Sequence, residues 1–205
     1  MSLITLIRHG ETTWNADRRV QGQLEAPLSE LGQKQAAALA ARLKDEKYDA
    51  LYSSDLSRAY DTAAQIASAS VANAGMRIKI DGRLRERHYG VFQGLTWVDI
   101  KAKFPDDYAR YRSLFPGVTI PGGESMQAFS DRVLDALEEI ASGCGHALIV
   151  AHGGLVDIAY RKAMGIADGA PRDYSLPNAS INRFRVDGSW QLESFGDVAH
   201  LGHVH

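Results

Sequence analysis

The chain holds one cysteine, Cys144, in 205 residues. A lone thiol excludes an internal disulfide framework and a multi-cysteine zinc site. Cys144 stands between two glycines just ahead of an apolar run, where it reads as a packed or loop thiol rather than a nucleophile. Excess charge of either sign is also missing. At a net −2, no global field recruits nucleic acid or an acidic membrane surface. No hydrophobic run approaches the roughly 20 residues that span a bilayer. The apolar stretch at residues 3–7 is too short for a signal peptide, so a cytoplasmic protein is expected. Internal repeats, low-complexity tracts and flexible linkers are absent. The length suffices for a sizeable core, which points to one globular domain or at most two.

Two apolar runs end alike. Residues 3–7 stop at Arg8-His9-Gly10, and residues 147–151 stop at His152-Gly153-Gly154. Around them the pattern alternates between strand and helix. Strands are expected at residues 3–8, 49–53, 77–80, 146–151, 180–186 and 190–195, with Asp187-Gly188 as a hairpin turn signal. Helices are expected after Ser29, after Ser54-Asp55 as caps, over residues 124–141, where Phe129, Val133, Leu137 and Ile140 form a stripe, and from Gly154 to about Met164. Residues 82–123 are less regular and should form a cap over one end of the sheet, with short helices near 98–104 and 106–114. The expected fold is a single α/β domain over residues 1–205. It is a three-layer sandwich whose mostly parallel central sheet has an antiparallel edge and helices on both faces. The strand near 77–80 reads as an edge, leaving monomer and homodimer both open. Sites in such sheets lie outside the carboxyl ends of the strands, where Arg8-His9 and His152 fall.

Four segments at strand ends carry the chemistry: Arg8-His9-Gly10, the run from Ser53 to Arg58, the run from Glu86 to Gly90, and His152-Gly153-Gly154. They supply two arginines, two histidines and a carboxylate. Each alone has a structural explanation: Arg58 as a solvated helix residue, Glu86 paired with Arg83, Arg85 or Arg87. Arg58, however, falls in a helix's first turn, where the dipole disfavours a cation unless an anion binds there too. A phosphoryl group suits the set, since its transfer needs a nucleophile, clamps on the equatorial oxygens and an acid for the leaving oxygen. His9, His152 and Glu86 could instead ligate a metal, but two arginines would repel it and the spacing matches no zinc motif.

Arg8-His9-Gly10-Glu11-Thr12 with Asn15 resembles the signature of the histidine phosphatase superfamily, which includes the cofactor-dependent phosphoglycerate mutases. The resemblance runs on through PLSELG at 27–32, SSDLSRAYDTA at 53–63, LRERHYG at 84–90, PGGES at 121–125 and VAHGG at 150–154. It implies that His9 is the nucleophile and that Arg8, Arg58 and His152 hold the phosphoryl oxygens. It makes Glu86 the general acid and then the base for water. Asn15, Gln21 and Gly22 would line the phosphate pocket, with Tyr89 and Gly153 as further contributors. No metal or other cofactor is implied, and the partner is a small phosphorylated substrate rather than nucleic acid or membrane.

The same resemblance leaves a phosphatase, a phosphoglycerate mutase primed by 2,3-bisphosphoglycerate, and a non-catalytic binder of phosphorylated ligands. No catalytic group is missing, which disfavours the last. Glu86-Arg87-His88-Tyr89-Gly90 is mutase-like. Trp97 stands where the mutases have a lysine, Arg110-Tyr111-Arg112 where they have paired arginines, and Gly154 where they have Asn. The phosphatase branch is therefore expected. The aromatic cap should set the substrate, although most of its rings should be packing.

Overall fold

The computed structural model describes residues 2–113 and 117–202. Leu114, the last residue of the helix expected near 106–114, lies outside the described residues, as do Phe115, His203 and His205. The strands are β1 (Ser2–Arg8), β2 (Ala50–Ser53), β3 (Ile78–Ile80), β4 (His146–Ala151), β5 (Ile181–Val186) and β6 (Trp190–Asp197). Among the described residues they form one sheet in the order β3-β2-β4-β1-β5-β6. The first four are mutually parallel, and β5 and β6 run antiparallel at the other side. The helices are α1 (Thr13–Ala16), α2 (Glu30–Leu43), α3 (Ser57–Ala69), α4 (Trp97–Lys103), α5 (Pro105–Arg112), α6 (Met126–Gly143) and α7 (Gly153–Met164).

β1 explains the layering. Successive side chains of a strand point to opposite faces, so a strand buried on both is apolar on both, and the one buried polar side chain of β1, Thr5, is bonded to His146 at 2.8 Å. Ile4 and Leu6 join the α6 and α7 cluster with Phe129, Val133, Leu137 and Leu155. Ile7 joins the opposite cluster with Leu39, Leu43, Ala59, Ala63 and Ile66 from α2 and α3. Full burial of each such Leu or Ile stabilises by about 1.5–3 kcal/mol, which makes this the main cohesive term. A third cluster sits in the cap, where Phe92, Ile100 and Ile120 pack with Tyr89, Phe104, Tyr108 and Tyr111. Val20 belongs to it and exchanges backbone hydrogen bonds with the cap at Leu95 and Gly94, 2.9 and 2.8 Å. The cap aromatics are thus mostly packed against one another.

Local signals set most boundaries. Ser29 caps α2 by accepting from Gly32 N–H, and Ser125 caps α6 by accepting from Ala128 N–H. α6 therefore begins at Met126, two residues after the expected Glu124. α3 is a correction of the capping assignment. Its N-cap is Leu56, which makes no side-chain cap bond, and neither Ser54 nor Asp55 caps the helix. Instead Asp55 pairs with Arg85, and Glu25 accepts from Ser57 N–H at 3.0 Å and from the Ser57 hydroxyl. α1 was not anticipated. Its signal is the capping box Thr12-x-x-Asn15, too short to leave a periodic apolar pattern.

Candidate active site

The sheet order brings the chemistry-bearing strand ends side by side. Arg8 of β1 pairs with Ala151 of β4, and Ser53 of β2 pairs with Val150. The next residues out, His9, His152 and Ser54, therefore emerge together. The two imidazoles meet edge to face with centroids 5.2 Å apart. Both are buried, as is Arg58, which is 1% exposed.

Each side chain is held by a specific partner. His9 Nδ1 lies 2.6 Å from Gly10 O. A carbonyl only accepts, so Nδ1 carries the proton and Nε2 keeps its lone pair. Arg8 donates through Nη1 to Leu176 O. Arg58 donates through Nη1 and Nη2 to Leu24 O and Gly22 O, at 2.9 and 2.7 Å, which fixes the loop carrying Gln21. His152 Nε2 sits 2.9 Å from Ser54 Oγ. Arg8 Nε, Arg58 Nε, His152 Nδ1 and Gln21 Oε1 are buried with no partner among the described residues. Such atoms are costly in a folded protein, by about 1–3 kcal/mol each and more when charged. Three donors so placed around one imidazole suit an anion with several oxygens.

Glu86 closes the other side. Its Oε1 accepts from Arg87 N–H at 2.8 Å and its Oε2 from Gly154 N–H at 3.0 Å. It does not pair with Arg83 or Arg85, which bind Asp81 and Asp55. Gly154 is required by the close approach: a Cβ there would lie 2.1 Å from Glu86 Oε1 and 2.9 Å from Phe129. Asn15 commits its Oδ1 to Thr12 N–H and the Thr12 hydroxyl, at 3.1 and 3.0 Å, so its amide N–H groups remain for a ligand. All ten residues singled out in the sequence line one cavity of about 280 Å³ except His152, which sits beneath it against His9. The start of α3, where the position of Arg58 predicts a bound anion, already carries one of the chain's own: Glu25 accepts from Ser57 N–H.

Burial and charge tune the imidazoles. Desolvation, then the charges of Arg58 and Arg8, hold His9 well below the usual histidine value. Desolvation and Arg58 do the same to His152. Burial also brings Arg8 and Arg58 down to about 10, so both remain cations at neutral pH. His9 is thus neutral at pH 7 and stays so as pH falls through 6.5. The acid limb of kcat/KM, corrected for substrate ionisation near pH 6, should therefore lie below pH 6.5. A pH–rate profile of the free enzyme measures this. A limb at 6.5 or above after that correction would contradict the assignment.

The histidine phosphatase superfamily (branch 1) family model matches residues 4–198. The chain belongs to this superfamily. Among curated relatives, it is 42% identical over 206 residues to a metal-independent phosphoserine phosphatase of Arabidopsis thaliana, covering 98% of this chain and 84% of the relative. It is 38% identical over 213 residues to the probable phosphoglycerate mutase GpmB of Escherichia coli, covering 98% and 95%. Among solved structures, the mycobacterial glucosyl-3-phosphoglycerate phosphatase Rv2419c superposes with a TM-score of 0.80 at 31% identity, covering 96% of this chain and 99% of that one.

As a histidine phosphatase superfamily member, the chain also shows supports that the motifs leave out. Thr62 Oγ1 accepts from Gly10 N–H at 3.2 Å, and Asn178 donates to His9 O at 3.1 Å. Leu176 supplies the carbonyl that orients Arg8. Arg18, Arg19 and Trp97 line the same cavity. Leu176 acts through its backbone, so no side-chain pattern could have found it. Asn178 lies in the turn before β5, outside every run that carries the resemblance.

Proposed function

We propose that the chain is a metal-independent phosphomonoester phosphatase in which His9 is transiently phosphorylated. The observation that carries this is the His9 tautomer. With Nδ1 tied to Gly10 O, the free lone pair belongs to Nε2, beside the unpartnered donors of Arg8, Arg58 and His152. His9 Nε2 attacks phosphorus and the ester P–O bond breaks. Arg8, Arg58, His152 and Asn15 hold the phosphoryl oxygens, and Glu86 gives its proton to the leaving oxygen. Water then attacks the phosphohistidine, Glu86 takes the proton, the P–N bond breaks, and phosphate and neutral His9 remain. The arginines supply the positive charge that a metal gives elsewhere. Among the described residues no three His, Cys, Asp or Glu side chains are grouped to hold an ion.

The mutase is the second reading, favoured by the GpmB likeness and by Glu86-Arg87-His88-Tyr89-Gly90. Cap geometry supports hydrolysis over it. A mutase must hold its product while phosphohistidine waits, which calls for a firm grip and exclusion of water. Here Arg110 is bonded to Asp107 of its own helix, and Tyr111 stacks on Trp97 with centroids 5.5 Å apart. Of the two arginines only Arg112 reaches the wall of the larger cavity of about 600 Å³ beside the His9 site, together with Tyr111. After dialysis against a chelator, the protein should release inorganic phosphate from small phosphomonoesters. An enolase-coupled assay primed with 2,3-bisphosphoglycerate should show little interconversion of 3- and 2-phosphoglycerate. Mutase turnover tenfold above phosphate release would overturn the hydrolase; that ratio is only about 1.4 kcal/mol in barrier.

A further inference from the structure

The cavity at His9 opens into a larger one of about 600 Å³, and the two share Arg8, Glu86, Tyr89 and Gly153. If the phosphoryl group sits by His9 and Glu86 protonates the leaving oxygen, the leaving group extends into this second space. Its walls carry five arginines, Arg8, Arg87, Arg112, Arg161 and Arg172, against two carboxylates, Glu86 and Asp157. Three of the cations are committed. Arg8 serves the phosphoryl group, and Arg161 pairs with Asp157 at 3.0 Å. Arg87 donates to Glu124 O at 3.0 Å and lies over Tyr89. Arg112 and Arg172 have no acceptor among the described residues.

Arg172 stands on the segment between α7 and β5, and that segment is clasped on both sides of it. Arg161 donates to Ala167 O at 3.1 Å, before Arg172. After it, the Tyr174 hydroxyl donates to Asp157 Oδ1 at 2.7 Å, and the Tyr174 ring packs on Tyr160 and Phe195. Leu176 O then meets Arg8. The Asp157–Arg161 pair is largely buried, so the clasp is not a solvated surface contact. Arg172 is thus held in the cavity wall, close enough that its charge acts on Arg8. A guanidinium with five donors and no acceptor, across a cavity of net positive charge, is suited to a planar anion such as a carboxylate.

We infer that Arg172 is a specificity-determining residue, which with Arg112 reads a second negative charge on the leaving group. The preferred substrates are then small phosphomonoesters that also bear a carboxylate. This rests on the phosphatase reading of the same site. The test compares wild type, Arg172→Gln and Arg172→Lys on two matched pairs. Phosphoserine is set against phosphoethanolamine, and 3-phosphoglycerate against glycerol 3-phosphate; within each pair the carboxylate is lost. Wild type should prefer the carboxylate member. Within each pair the ratio of kcat/KM should fall about tenfold or more in Arg172→Gln, as expected for one charge-assisted hydrogen bond, mainly through KM. Arg172→Lys should restore part of it. Ratios that stay unchanged in Arg172→Gln, or a wild type that favours the members without carboxylate, would overturn this inference while leaving the phosphatase intact. A wild type that releases phosphate from none of the four would overturn both.

Discussion

Replacing His9 with alanine will abolish turnover, by roughly 10⁶-fold in kcat on the scale seen when a covalent nucleophile is deleted. The size follows from what is lost. In the proposed mechanism Nε2 forms the bond to phosphorus, and no neighbour can substitute: His152 commits Nε2 to Ser54, and the arginines stay protonated. The phosphate hole itself should survive, because Arg8 and Arg58 are anchored by backbone carbonyls independent of His9. Two measurements on His9→Ala separate chemistry from folding. Vanadate should still bind, weakly, while brief exposure to labelled substrate followed by denaturation without acid should leave no label on the protein. Wild type treated alike should carry label on His9. Label persisting in the variant would remove His9 from the role.

Glu86→Gln will slow hydrolysis of alkyl phosphates by about 10²–10⁴-fold, the usual contribution of a positioned acid. The same change should cost far less on p-nitrophenyl phosphate, whose leaving group departs as a stable anion. Glutamine keeps the shape but must present its amide N–H₂ to one of the two N–H groups, of Arg87 or Gly154, that Glu86 now satisfies. That local mismatch burdens both substrates equally. The difference between the two losses therefore isolates the proton. Equal losses on both would mean that Glu86 only positions its neighbours.

Much of the site was legible because its residues lie in contiguous, unusual pieces. An apolar run that ends in Arg8-His9-Gly10 is conspicuous, since a buried strand gains nothing from a cation at its tip unless an anion meets it. Gly154 was legible only as a departure from the mutase pattern; the Glu86 oxygen lying where its Cβ would go supplies the reason. The cap was read as an excursion with short helices, and α4 and α5 fall close to the expected spans. Tyr174, Asp157 and Arg161 gave no signal, because a polar triad that clasps a loop has no period and no motif. The α3 cap was misread for a related reason. Ser54 and Asp55 are good capping residues by type, but Ser54 is bonded to His152 and Asp55 to Arg85, and a partner distant in sequence, Glu25, takes the helix end.

The sequence by itself determined the kinds of side chain available for phosphoryl transfer, their order along the chain, and the α/β alternation that sends them to strand ends. Those are local properties: hydrophobic period, turn residues and short runs of polar groups. Only the tertiary structure decided which of them meet. His9 and His152 touch because β4 pairs with β1 in a register that sets Arg8 against Ala151. Sheet register is settled by burial on both faces and by the crossover helices, not by either strand alone. The His9 tautomer likewise depends on a 2.6 Å contact with Gly10 O, and the placement of Arg172 on a clasp built from α7. Such distances arise when separate elements pack, and no single stretch of the chain contains them.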